Sequence, residues 1–367
     1  MKAAVLHKAR DPLVVTNVDL DKPKREEVLV RIAASGICAS DLHVIDGHST
    51  PPMPLVLGHE GAGVVEAVGE GVTTLQKGDH VVICLTPSCG RCFFCAKGRP
   101  NLCERMPNKP KGLLMDGTSR LHLPGAPRKD LYHYNFSSSF AEYAVSPEHA
   151  CMKISKEAPF EWACLVGCGV LTGIGAVLNT AKVEPGSSVA VFGCGGVGLS
   201  AVQGAVLSGA NPVIAVDIVP SKLGYAKKMG ATHVVNSATE DPVAAIHKIT
   251  GRGADYAFEV IGVPKVIQQM FASTRQGGTG VIVGSPPADS SIPLDLRFIM
   301  AGERRLLGCN YGTAKPWTDI PMIVDLAVAG KLKLNELVTH TAPLDAINDS
   351  IALVKAGKVA RSVIVNR

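Results

Sequence analysis

Apolar positions recur on two different periods along this chain. Through residues 1–160 the apolar runs are short and strand-like. Those at 28–32, 63–68 and 80–83 are rich in β-branched residues, and Gly, Pro and Asp turns separate them. Helical periodicity is scarce there, which predicts an irregular β domain. From about residue 187 strand and helix patterns alternate. Strands are predicted at 189–192, 213–216, 233–235, 256–260, 280–283 and near 306–307, with helices at 197–207, 221–229, 242–250 and 264–272. Six strands in βα alternation predict an α/β unit built on a parallel, doubly wound sheet. Beyond residue 310 the pattern becomes irregular again, with a helix at 344–355 and a strand at 362–365. That tail is expected to rejoin the first domain, since chain ends often share one domain. The expected division is 1–169 with 311–367, and 170–310.

Two uncharged stretches, 163–181 and 185–216, are long enough to cross a membrane. Glycines 167, 169, 173 and 175 interrupt the first; the Gly193–Gly196 turn and Asn211-Pro212 break the second. Both are therefore expected in the buried interior of an α/β fold rather than in a bilayer. Residues 106–139 follow neither period and are expected to form a long structureless loop with a functional or interfacial role.

Composition narrows the picture further. A chain of 367 residues exceeds one typical core, which favours two domains. With 46% hydrophobic residues, 38 Gly and 24 Pro it reads as globular and turn-rich. The net charge of +5 is small and scattered, so a nucleic-acid partner is not expected. Residues 1–8 carry no apolar core of the kind an export leader has, and eleven cysteines then point to a reducing, cytoplasmic setting.

Four of those cysteines, Cys89, Cys92, Cys95 and Cys103, have a metal-site spacing. Thiolates two apart on a tight turn can converge on one tetrahedral zinc, and the competing reading is a pair of disulfides. A closed all-thiolate site stabilises a loop but does no chemistry. Cys84, Cys151, Cys164, Cys194 and Cys309 read as small buried hydrophobes.

Gly193-Cys194-Gly195-Gly196-Val197-Gly198 follows a predicted strand and opens a predicted helix. The first glycine suits the turn, the second lets a pyrophosphate approach the backbone, and the third packs helix on strand. The helix N-terminus adds amide donors and partial positive charge. Asp217 ends the next strand, where a carboxylate takes ribose hydroxyls and repels a 2′-phosphate; 219–221 offers no arginine to rescue one. NAD is therefore expected over NADP. Elsewhere Cys38, His59 with Glu60, and Cys168 stand apart in sequence. Singly each reads as packing or surface, but together they could hold a zinc with one open position.

With these motifs in place the chain resembles the zinc-dependent medium-chain alcohol dehydrogenases over essentially its whole length. The resemblance rests on G-H-E-x-x-G-x-V at 58–65, the four-cysteine lobe at about 87–105, G-C-G-x-x-T-G at 167–173 and the glycine fingerprint. It implies a GroES-like catalytic domain with a Rossmann coenzyme domain inserted before the C-terminal return. It also implies two zinc ions per chain: a catalytic one on Cys38, His59 and Cys168, with Glu60 able to enter the shell, and a structural one on the lobe. Asp41 would hold the far nitrogen of His59. Ser40 and His43 would relay the alcohol proton to solvent. Thr172, Val283 and Ser285 would line the nicotinamide, Asp217 and Lys222 would hold the adenosine ribose, and Arg361 would meet the pyrophosphate. Leu85 and Phe140, with Ser285, would line an apolar slot.

The implied activity is interconversion of medium-sized primary alcohols, including allylic or aromatic ones, with their aldehydes. Zinc would polarise the alcohol oxygen and NAD accept the hydride. The alternative is a glutathione-type formaldehyde dehydrogenase acting on a thiol adduct, or a dismutase-like enzyme that keeps its NAD bound. A catalytically silent nucleotide-binding protein is the remote alternative. Segment 104–139 resembles the longer, typically dimeric branch rather than the shorter, often tetrameric one, so a homodimer is expected, with a tetramer as the alternative. Ala39 stands where many relatives carry a basic residue, and 104–109 does not align cleanly with the arginine anchor of the formaldehyde branch.

Overall fold

The alternating β/α pattern of the middle third and the irregular strands on either side of it fold into two separate units. The structure, a computed structural model, describes residues 1–106, 111–125, 127 and 129–366. One unit comprises Met1–Cys168 with Lys315–Arg367, and the other Gly169–Ala314.

In the first unit the strand Glu27–Gly36 organises a seven-stranded sheet. Along one edge it pairs antiparallel with Glu60–Val68. Along the other its start takes Tyr143–Pro147 and its end takes Arg361–Val365. Alternate residues Val28, Val30 and Ile32 pack with Val65, Val81 and Ile83 in one core. Each such side chain contributes about 1.5–3 kcal/mol of burial. A second core, containing Leu6, Ile37, Val44, Leu57, Phe140 and Ile364, underlies the helix Ala39–Ile45. The register places Gly36 opposite Glu60, and it brings residues 34–36 against the C-terminal strand. The tail after residue 314 thus completes the sheet that carries the first candidate site residues.

Segment 106–139 departs from the structureless loop that its periodicity predicts. Leu121–Leu123 and Lys129–His133 form an antiparallel hairpin, and Lys129–His133 extends a second, six-stranded sheet through Leu55–Val56. Arg120 is fully buried and donates to both carboxylate oxygens of Glu27, at 2.9 and 2.6 Å, and to Asp116 at 2.8 Å. Leu114 and Phe136 fill a small core with Val145. A buried bidentate ion pair and long-range strand pairing order the described residues of this segment, and neither leaves a local period in sequence.

In the second unit the strands β1 (Val189–Phe192), β2 (Val213–Asp217), β3 (His233–Asn236), β4 (Ala254–Glu259), β5 (Thr274–Ile282) and β6 (Arg305–Gly308) form one parallel sheet in the order β3-β2-β1-β4-β5-β6. All six predicted strands are present, joined by α1 (Gly196–Leu207), α2 (Pro220–Lys228), α3 (Pro242–Thr250), α4 (Pro264–Ala272) and α5 (Leu296–Ala301). Every residue of β1 and β2 is buried, which explains the uncharged run 185–216. The order reverses direction between β1 and β4, where open sheets of this kind bind ligands.

The run Phe160–Ala181 is long and apolar enough to cross a membrane, yet 72% of its most apolar stretch is buried inside the protein. It is a core helix, and π-helical stretches at Val166–Val170 and Ala176–Ala181 interrupt its α-turns.

Candidate metal centre and coenzyme loop

Cys38 sits in extended conformation at the N-cap of the helix Ala39–Ile45. Asp41, in the first turn, turns its carboxylate back to accept the Cys38 amide at 3.0 Å. The other carboxylate oxygen takes the Gly58 amide at 3.2 Å and His59 Nδ1 at 3.1 Å. Asp41 is fully buried, so this one side chain fixes both the start of the helix and the ring of His59. With Nδ1 donating to Asp41, Nε2 points away from that carboxylate. That atom is buried without a hydrogen-bond partner. Cys168 rides on the π-helical stretch Val166–Val170, a device that re-aims a side chain and recurs at functional sites. The ligand atoms of Cys38, His59, Glu60 and Cys168 all lie within 4.8 Å of one another.

Electrostatics sharpen the picture. The neighbouring Cys168 thiol hydrogen-bonds the Cys38 sulfur and holds Cys38 well below the usual thiol range, against the effect of burial. Cys168 is raised correspondingly, by the Cys38 thiolate first and by burial. Burial alone would push His59 down, but the charges of Asp41 and Cys38 outweigh it and hold the ring well above its usual value. The cluster therefore stabilises positive charge at the unpartnered nitrogen. A dication bound by one nitrogen and two sulfurs satisfies the same field, and zinc favours that donor set. Burial pushes Glu60 up to about 7, opposed by Arg361. The buried guanidinium of Arg361 donates to Glu60 Oε2, and to the Ile37 carbonyl at 3.1 Å. Gly36 is required there, because a Cβ would collide with Glu60 Oε2 and the Leu165 side chain. With Glu60 engaged by Arg361, Cys38, His59 and Cys168 are the three donors that would be left to hold a metal.

The second cluster is local. Cys89, Cys92, Cys95 and Cys103 also bring their sulfurs within 4.8 Å of one another, around the short helices Phe93–Ala96 and Pro100–Leu102. Backbone amides point at the sulfurs: Cys92 N to Cys89 Sγ at 3.4 Å, and Cys89 N to Cys103 Sγ at 3.3 Å. The amide of Arg91 leads the effects that bring Cys89 down to about 6, while burial pushes Cys95 up to about 12. All eleven cysteines are free, so no disulfide links this lobe. A tetrahedral zinc with ~2.3 Å bonds sets its sulfurs ~3.8 Å apart, which this spacing accommodates. Of the other cysteines, Cys84, Cys151, Cys164 and Cys194 are buried; Cys309 is partly so.

In the second unit Gly193 adopts φ +103°, and a Cβ on Gly198 would come within 1.8 Å of the Gly193 carbonyl. The space a Cβ would fill on Gly195 is open, which leaves a backbone cradle at the start of α1 for a phosphate. Gly196 and Val197 form the first turn of that helix. Asp217 accepts the Cys194 amide at 2.8 Å and the Val219 amide at 2.9 Å, so its carboxylate is locked beside the loop. Lys222 is half-buried and its charge reaches Cys194. Thr172 and Val283 are half-buried and Ser285 is exposed.

Ser40 and His43 lie three apart on one exposed face of the helix Ala39–Ile45. Leu85 is half-buried. Phe140, expected as a slot residue, is fully buried and packs in the core with Leu57 and Ile364, and its backbone bonds to Leu57 and Ala4. Tyr134 also stands at the cluster. Its ring meets His59 edge-on with centroids 5.5 Å apart, and its hydroxyl donates to the Ser40 carbonyl at 3.3 Å. Sequence reasoning missed Tyr134 because it lies in the aperiodic segment; the aromatic-rich run Tyr132-His133-Tyr134 was the available signal. It also missed the Arg361–Glu60 pair, which joins two distant positions. Residues 107–109 of the anchor comparison lie outside the described residues.

Known proteins share this arrangement. The family model described as alcohol dehydrogenase GroES-like domain matches residues 24–156, and that described as zinc-binding dehydrogenase matches residues 196–329. An S-(hydroxymethyl)glutathione dehydrogenase from Synechocystis sp. is 43% identical over 368 residues, covering 99% of each chain. Among solved structures, an alcohol dehydrogenase zinc-binding domain protein from Burkholderia ambifaria superposes with a TM-score of 0.95 at 40% identity, covering 100% of this chain and 98% of its own. Benzyl alcohol dehydrogenase from Acinetobacter calcoaceticus gives a TM-score of 0.94 at 37% identity, covering 100% and 99%.

Proposed function

The chain belongs to the zinc-dependent medium-chain alcohol dehydrogenase family, whose members are zinc- and NAD-dependent oxidoreductases, and from that premise we propose that it oxidises the hydroxymethyl adduct of formaldehyde with a small thiol. What carries this substrate is the relative from Synechocystis sp., similar over the whole of both chains and named for the glutathione adduct. The main expectation from sequence was a medium-sized apolar alcohol. It becomes the second reading, supported by the Tyr134 ring beside His59 and by the benzyl alcohol dehydrogenase. Both substrates present the same reacting group, a primary carbinol.

Zinc supplies Lewis-acid polarisation of the carbinol oxygen and NAD supplies the hydride acceptor. The protein does the rest. Cys38, His59 and Cys168 would hold the metal, and Asp41 fixes the His59 ring through Nδ1, leaving Nε2 as the nitrogen that would ligate. Ser40 Oγ takes the carbinol proton and His43 passes it to solvent from the exposed end of the same helix. Arg361 pairs with Glu60 and would hold it apart from the metal. The glycine loop and Asp217 receive the coenzyme, with Asp217 selecting NAD over NADP. We place the enzyme in the cytoplasm as a homodimer.

A panel of substrates decides between the readings. Initial rates of NADH formation would be compared for S-hydroxymethylglutathione and benzyl alcohol. The thiol-adduct reading expects a kcat/KM at least tenfold higher for the adduct; the reverse order would transfer the assignment to the aromatic alcohol. A dismutase-like enzyme would reveal itself by poor use of added NAD.

A further inference from the structure

The coenzyme unit carries a second concentration of charge far from its glycine loop in the topology. A cavity of about 670 Å³ is lined by Arg252, Arg275, Gln276 and Arg304. Arg252 lies just before β4, Arg275 in the first residues of β5, and Arg304 immediately before β6. All three therefore stand at the N-terminal edge of the parallel sheet. The Gly193–Gly198 loop follows the C-terminal end of β1, at the opposite edge.

Two of the guanidiniums are fixed in place by backbone carbonyls. Arg304 donates Nε to the Thr274 carbonyl at 3.3 Å and Nη1 to the Phe298 carbonyl at 2.9 Å, with its Cζ 3.6 Å from the Phe298 ring centroid. A Cβ on Gly302 would fall on that guanidinium, so the glycine there keeps its place clear. Arg275 donates Nε to Asp255 at 2.5 Å and Nη1 to the Gln276 carbonyl at 2.5 Å. Both leave Nη2 without a partner among the described residues. Arg252, in the exposed turn between Gly251 and Gly253, has no hydrogen-bond or ion-pair partner among them. Among the described residues the carboxylate paired with the cluster is Asp255, which is also occupied by the amide and hydroxyl of Ser188.

Helices α3 and α4 end nearby, and their C-terminal dipoles favour a cation. That accounts for one basic residue, but not for three guanidiniums around one hollow with free donor forks. Three positive charges against one negative leave a net surplus of about two. Planar forks in this arrangement match the tetrahedral oxygens of phosphate better than a single carboxylate.

We propose that this cavity binds the dianionic phosphate group of a small phosphate monoester or diphosphate, at a site separate from the coenzyme loop. The test uses inorganic pyrophosphate as the probe, titrated calorimetrically into the intact enzyme with saturating NADH present so that the glycine loop is filled. One binding event per chain is expected, weakening as salt is raised. Arg252→Glu, on an exposed turn, should abolish it, and Arg304→Gln should weaken it at least tenfold, the effect of losing a charge-assisted hydrogen bond. NADH affinity should stay unchanged in Arg252→Glu, which shows that the unit is folded and the loop untouched. No binding heat in the NADH-loaded wild type, or equal pyrophosphate affinity in Arg252→Glu, would overturn the proposal.

Discussion

The two sulfur clusters of the first unit use similar ligands in opposite ways. The lobe draws four sulfurs from one stretch, 89–103, and surrounds them with backbone amides of that same stretch. The other cluster draws on positions 38, 59 and 168, and a fully buried carboxylate, Asp41, orients its nitrogen ligand. The lobe's donors are all alike and close the shell. The dispersed cluster mixes sulfur and nitrogen, and keeps its fourth group, Glu60, engaged with Arg361. A site built from local sequence can serve as a staple, because the metal replaces a core the loop is too short to form. A site that must admit substrate needs its ligands held by the scaffold around it, so that an open position does not collapse.

The sharpest way to break this contrast is to remove one dispersed ligand. Cys168→Ala or His59→Ala should lower kcat at least about a thousandfold, equivalent to about 4 kcal/mol of lost transition-state stabilisation. Metal analysis should still find the zinc of the lobe, and the melting temperature should fall little. Activity near wild type in either variant would remove that residue from the ligand set. Cys95→Ser should do the reverse. Losing one lobe sulfur should cost several kcal/mol of folding free energy, a fall in Tm of roughly 5–10 °C by scanning calorimetry, while kcat of the surviving folded fraction is largely kept.

Asp41→Asn probes the support rather than the ligand. It should weaken zinc at the dispersed cluster by about 10–100-fold in competition with a chelator, with the lobe retaining its metal at the same chelator concentration. If both sites release zinc together, the division between scaffold-held and self-contained metal is wrong. The smallest effect belongs to His43→Gln. The relay reading expects about tenfold slower alcohol oxidation, partly restored by added imidazole, with both metals in place. An unchanged rate would leave His43 as a surface residue.

These outcomes bear on what sequence could and could not reveal. The lobe was legible because tetrahedral coordination within one turn dictates a spacing, and spacing is a sequence property. The six strands of the coenzyme sheet were legible for a similar reason: buried parallel strands and amphipathic helices impose local periods, and Gly193 and Gly198 answer steric demands of one turn. Tertiary structure alone decided the rest. It placed Tyr134 beside His59 and Phe140 in the core, because which aromatic meets His59 depends on how the paired strands Leu121–Leu123 and Lys129–His133 dock, and no period encodes that. It ordered the described residues from 111 to 139 around the buried Arg120–Glu27 pair. It carried Arg361 from the chain's last strand to Glu60 through the register of three strands around Gly36. Contacts within a turn are written in residue spacing; contacts between distant strands exist only once the sheet has chosen its register, and the cluster of Cys38, His59 and Cys168 belongs to that second kind.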